Sequence, residues 1–166
     1  VSFSYLILIE IDEKLLLVRS NHHNKFQPIG GVYKVSEHYM GHIKDLSKPH
    51  WIFNCPEDDW RIIANSVESY QTLLELYKSG KGVKDSLYRE FCEEMIDTGI
   101  LCKELFSKEE VLDRLESLRA YSDVEVGCDV NTLYNYDVYK LSLSKNQKEW
   151  VRSNLSKNIV KDKYVW

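Results

Sequence analysis

The sequence predicts an α/β fold, a mixed β-sheet with helices on its faces. Three observations point there. Residues 3–11, FSYLILIEI, form a nearly continuous apolar run, as a strand buried on both faces does. Two later segments, 67–78 and 84–97, repeat apolar residues at helical spacing. Strand-like and helix-like segments then alternate to the C-terminus, which suits a layered α/β domain.

The elements follow in order. IDEK supplies a turn after the first strand, and KLLLVR at 14–19 returns as a second. SNHHNK at 20–25 reads as a polar loop. Residues 26–34, FQPIGGVYK, form a third strand interrupted at Pro28 and the glycines. Residues 35–49 read as irregular. HWIFNC at 50–55 and WRIIA at 60–64 are further strand candidates. Ser66 caps a helix over 67–78, whose Val67, Tyr70, Leu73, Leu74 and Tyr77 share one face, and SGKG ends it. The next helix runs from about Lys84 to Asp97 and stops near Gly99. ILCKELF at 100–106 reads as a strand, and Ser107 caps KEEVLDRLESLRAY as a helix with Val111, Leu112, Leu115 and Leu118 inward. VEVGC and LYNYDVYKLSL are strand patterns, KNQKEWVRSNL is a helix capped by Ser144, and the apolar tail KYVW suggests docking or an interface.

Bulk properties narrow the function. A chain of 166 residues with 43% hydrophobic and 29% charged residues suits one soluble domain spanning 1–166. The formal charge of −4 argues against a surface for long nucleic acid but leaves room for a local basic pocket that takes a small phosphorylated ligand. Eleven tyrosines and four tryptophans could stack bases, although cores and interfaces use the same side chains. Trp51, Phe53, Trp60, Tyr134 and Tyr136 carry that ambiguity. Cys55, Cys92, Cys102 and Cys128 show no zinc spacing and read as free thiols of a reducing cytosol. No apolar run of about 18 residues could span a bilayer. The chain starts at Val1 without an initiator Met, so it reads as a domain excised from a longer protein whose membrane anchor would lie outside it.

The most informative stretch is REFCEE at 89–94. On a helix, Glu90, Glu93 and Glu94 project together beside an apolar stripe of Leu87, Phe91 and Met95. Three clustered carboxylates repel, and a hard divalent cation would offset that repulsion. A solvated surface face is the plain alternative. The upstream Gly30–Gly31 pair lets backbone approach a ligand, or forms a β-bulge.

A strand ending in P-I-G-G followed by a helix bearing R-E-F-C-E-E resembles the Nudix hydrolase family, whose box runs G, five residues, E, seven residues, R-E-U-x-E-E-x-G-U. The residues FQPIGGVYK, DDWRII at 58–63 and REFCEEMIDTGIL are most similar to the SMODS-associated Nudix domains of bacterial cyclic-oligonucleotide (CBASS) antiphage systems. The box is incomplete. Anchored on Arg89 and Glu90, its leading Gly falls at Glu75, its first Glu at Lys81 and its later Gly at Ile96. Gly31 lies 58 residues before Arg89, which implies an insertion over about 35–83 within a Nudix-like α/β/α sandwich.

The resemblance implies Mg²⁺ or Mn²⁺ held by Glu90, Glu93 and Glu94, with Glu93 and Glu94 catalytic if the domain is active. It implies that Arg89 orients, pairing with Glu93. Arg19, Gln27, Gly30, Gly31, Tyr33 and Lys34 are the ligand-binding candidates, and His22 and His23 are loop residues with a weaker claim. Two functions follow. One is a sensor of a cyclic oligonucleotide or other nucleotide, homo-oligomeric, on the cytoplasmic side of an inner-membrane effector. The other is a Mg²⁺-dependent hydrolase of nucleoside diphosphate-linked substrates. A purely structural interaction module leaves the glutamates unexplained.

Overall fold

The computed structural model describes residues 1–19, 25–48, 58–84, 87–125, 132–155 and 164–165. Strands are β1 (Ser2–Leu8), β2 (Glu10–Ile11), β3 (Lys14–Leu15), β4 (Leu17–Arg19), β5 (Phe26–Gln27), β6 (Ile29–Val32), β7 (Lys34–Val35), β8 (Val83–Lys84), β9 (Leu115–Glu125), β10 (Thr132–Leu141) and β11 (Tyr164–Val165). Helices are α1 (Met40–Leu46), α2 (Val67–Lys78), α3 (Leu87–Phe91), α4 (Lys108–Leu112) and α5 (Lys145–Leu155). The α/β class expected from the sequence is therefore observed. A four-stranded sheet has the order β6-β1-β10-β9, a three-stranded sheet the order β11-β4-β5, and β2–β3 and β7–β8 form antiparallel ribbons.

The chain gathers into two compact units. The first comprises Val1–Tyr5, Val32–Ser86 and Ala120–Tyr136. Its centre is aromatic. Phe3 stacks on Tyr77 at 4.1 Å between ring centroids and meets Trp60 edge-on at 5.3 Å, while Tyr33 lies against Tyr5 and Tyr77. Fully buried Trp60 donates its indole N–H to the Gly82 carbonyl at 3.1 Å, which removes the polar penalty of burying it. A Cβ on Gly82 would stand 2.8 Å from the Trp60 ring and from Leu76, so only glycine lets that loop close. α2 forms where its pattern predicts. The Ser66 hydroxyl accepts the Ser69 N–H at 3.1 Å, and Gly80 follows the helix at φ +71°.

The second unit comprises Leu6–Gly31, Leu87–Arg119 and Asp137–Trp166. Ile7, Leu16, Val18, Ile29, Phe91, Met95, Phe106, Val111 and Val151 are buried in it. α5 opens with a capping box. The Ser144 hydroxyl accepts the Gln147 N–H at 3.3 Å, and the Gln147 amide oxygen accepts the Ser144 N–H at 2.8 Å. The buried Gln147 also donates to the Leu105 carbonyl at 2.7 Å. The IDEK turn holds Asp12 and Glu13 at φ 53° and 64°, the left-handed geometry of a tight hairpin.

Several expected elements differ. Residues 35–49 are not irregular throughout, since a 3₁₀ turn at Glu37–Tyr39 leads into α1. Only Ile43 of α1 is buried, so its apolar stripe is too thin to read. Residues 60–64 make isolated bridges (Ser2 with Arg61, Ser47 with Ala64) rather than a strand. Residues 100–106 form bends and a turn rather than a strand. Ser107 caps a helix as expected, accepting the Glu110 N–H at 3.3 Å, but the helix ends at Leu112 and β9 starts three residues on. Leu118, expected inward, is 47% exposed. Pairing with β10 overrides the helical pattern there. The strand expected at 50–55, Cys55, Cys128, His22, His23, Trp51 and Phe53 lie outside the described residues. Cys92 and Cys102 are free thiols.

Candidate functional site

The glutamate segment is not one regular helix. α3 ends at Phe91, and Cys92–Ile96 continue as a π turn, with the Asp97 N–H bonded to the Cys92 carbonyl five residues back at 2.8 Å. Such turns are rare and cluster at functional sites. The wider turn rotates Glu93 and Glu94 away from the positions that uniform α-helical spacing assigns them. Gly99 at φ +75° ends the segment, and the Thr98 hydroxyl donates to the Glu94 carbonyl at 2.8 Å.

Each carboxylate has a defined partner. Arg89 donates to Glu90 through Nη2 and to Glu93 through Nη1, the latter at 2.8 Å. The expected Arg89–Glu93 pair is thus present, and the contact with Glu90 is an addition that sequence spacing did not suggest. Glu94 accepts the Gly30 N–H on β6 at 3.0 Å. A Cβ on Gly31 would stand 2.8 Å from the Glu90 Cγ and Cδ. The glycine pair is therefore what lets strand and glutamate segment meet.

Electrostatics set Glu94 apart. Burial pushes its carboxyl up to about 7, and repulsion from Glu90 and Glu93 adds to this against the pull of the Gly30 N–H. Burial works against the charge of Arg89, but its bonds to Glu93 and Glu90 prevail and its pKa is raised. The side chains of Glu90 and Glu93 are 19% and 51% exposed.

The other candidates have separate surroundings. Arg19 is exposed on β4, and Gln27, half-buried on β5, lies opposite Val18. Tyr33 is 5% exposed within the aromatic centre of the first unit. Lys34 lies between Asp58 at 3.0 Å and Asp59 at 2.6 Å. The second unit thus brings together Gly30, Gly31, Arg89, Glu90, Glu93 and Glu94. Tyr33 and Lys34 belong to a different packing environment. Tyr134 and Tyr136 stack at 5.9 Å with half-buried rings.

All-oxygen donors suit Mg²⁺ or Mn²⁺ in kind. In arrangement they do not. Among the described residues no three His, Cys, Asp or Glu side chains are placed to hold one ion. Arg89 engages two of the carboxylates and backbone engages the third, so no chemical step through a metal is derived from this arrangement.

A sheet-and-helix domain with a glycine strand clasped to an R-E-x-x-E-E segment defines a Nudix-type protein. The family model of the SMODS-associated NUDIX domain matches residues 1–166. The chain belongs to that family. No curated protein and no solved structure matches it. Among the described residues, no helix is long and apolar enough to cross a membrane.

Proposed function

We propose that this domain senses a nucleotide second messenger, a cyclic oligonucleotide, for an antiphage effector, and that it binds without hydrolysing. The observation that carries this is the internal pairing of the glutamates. Arg89 holds Glu90 and Glu93, and Gly30 holds Glu94. A hydrolase of this kind would need those carboxylates to converge on metal and water. A sensor needs only a shaped, rigid surface. The absence of the box carboxylate at Lys81 and membership of the SMODS-associated family support the same reading. In the whole protein, ligand binding would change how copies of the domain associate on the cytoplasmic side of the inner membrane, and a linked membrane-spanning segment would read that change.

A second reading is hydrolysis of a nucleoside diphosphate-linked substrate with Mg²⁺. Glu94 favours it, since a carboxyl that titrates near 7 is poised to accept a proton from water. Calorimetric titration with cyclic di- and trinucleotides, with and without Mg²⁺, separates the two. Binding with the ligand recovered intact by chromatography is the expected result. Turnover of linear dinucleotides, with no cyclic ligand bound, would transfer the assignment to the hydrolase.

A further inference from the structure

The β4–β5 pair of the second unit carries a feature that the glutamates do not explain. In its antiparallel register Val18 lies opposite Gln27 and Arg19 opposite Phe26. Side chains alternate across a strand, so these two pairs face opposite sides. Val18 is 2% exposed and Gln27 is half-buried, which marks theirs as the inner side. Arg19 is exposed, and Phe26 leaves 40% of its surface to solvent. Directly opposed residues hold their Cβ atoms about 4.5–5.5 Å apart. A guanidinium and a phenyl ring therefore share one outward patch. β5 then passes through Pro28 into β6, where Gly30 meets Glu94.

A single exposed phenylalanine is ordinary on a protein surface. An exposed phenylalanine opposite an exposed arginine, on the strand that leads into the glycine pair, is a more particular combination. The ring offers a face on which any base can stack, and the guanidinium offers planar donors for phosphate oxygens. The glutamate segment that meets β6 is acidic and would repel phosphate, and a cation on the strand pair leading into β6 would offset that repulsion for an anionic ligand approaching the glycine strand.

We propose that Arg19 and Phe26 form a docking point for one nucleotide unit of the ligand, with Phe26 stacking on a base and Arg19 meeting a phosphate. Phe26 is thereby a binding residue beyond the set that the sequence suggests. The proposal rests on the nucleotide-sensing reading above.

The test is calorimetric titration of cyclic di- and trinucleotides into the wild-type domain and into Phe26→Ala, Phe26→Leu, Phe26→Trp and Arg19→Ala, with a thermal melt of each. Phe26→Ala is expected to weaken binding roughly 5- to 150-fold, the range for loss of one base–aromatic stack. Phe26→Trp is expected to retain affinity, and Arg19→Ala to weaken it and flatten its dependence on salt. Phe26→Leu keeps apolar bulk without a ring, so it answers for packing if the alanine variant melts early. Wild-type binding that Phe26→Leu and Arg19→Ala leave unchanged overturns the docking pair while the sensor reading stands. No binding by the wild type to any of these ligands overturns both.

Discussion

Each unit holds one cation between two carboxylates, yet the two clusters are balanced differently. In the first unit Lys34 bonds to Asp58 and Asp59. Burial disfavours the Lys34 charge, but its hydrogen bonds to Asp59 and Asp58 outweigh this and hold its pKa above the ordinary value. Asp58 shows the converse, with its carboxyl held low by Lys34 against the opposing effect of burial. In the second unit Arg89 serves Glu90 and Glu93, and Glu94 is a third carboxylate satisfied only by a backbone N–H among the bonds described. The first cluster is a closed lock. In the second, burial of Glu94, with added repulsion from Glu90 and Glu93, raises its pKa.

That contrast can be broken from its stronger side first. Lys34→Met should destabilise the domain by about 3 kcal/mol, because it strands the mostly buried Asp59 carboxylate, whose side chain is 11% exposed. Urea unfolding at pH 7 would measure it, and a loss under ~0.5 kcal/mol would show that the lock is only a surface pair. Gly31→Ala should cost about 1–3 kcal/mol, since the new methyl group meets Glu90 at 2.8 Å. The same substitution at Gly41, where nothing lies within 4 Å, is the control and should be neutral or stabilising.

Glu94→Gln sharpens the comparison through pH. A carboxyl raised in the folded state favours its protonated form there, so folding takes up a proton between the unfolded and folded pKa values. Wild-type stability should therefore fall as pH rises from about 4.5 to about 7 and stay lowered above that. Glutamine keeps an oxygen for the Gly30 N–H without the charge. It should be more stable than wild type above pH 7, by about 1 kcal/mol after solvent screening, and equal to it below pH 4.5. Melts across that range decide the matter, and parallel profiles for the two proteins would show that Glu94 titrates normally. The smallest effect belongs to Arg89→Ala. Its pairs with Glu90 and Glu93 are partly exposed and worth under about 1 kcal/mol. The variant removes the guanidinium that Glu90 and Glu93 share, so added Mg²⁺ should raise its melting temperature more than it raises that of the wild type.

Much of this was legible in the residues. The apolar run of β1, the capped and regularly spaced α2 and α5, and the hairpin turn at Asp12–Glu13 all follow from local pattern. So does the association of REFCEE with a glycine pair, which carried the resemblance to the family that the chain belongs to. α1 and β9 were not legible. α1 buries one residue, too few for a readable stripe, and β9 follows a good helix cap with a helical pattern that strand pairing overrides.

The sequence by itself determined which residues could form the site: the spacing of the glutamates, an arginine beside them, and glycines that bring no side chain to a close contact. It also determined the α/β class, because burying one face of a strand or helix imposes a periodicity that a reader can count. Tertiary structure alone decided how those residues meet. Gly30 and Glu94 are 64 positions apart, and no local pattern encodes a bond across that separation. The π turn that carries Glu93 and Glu94 depends on what packs around it. The pKa of Glu94 depends on lost water and on neighbours' charges, both of which exist only once the chain has folded.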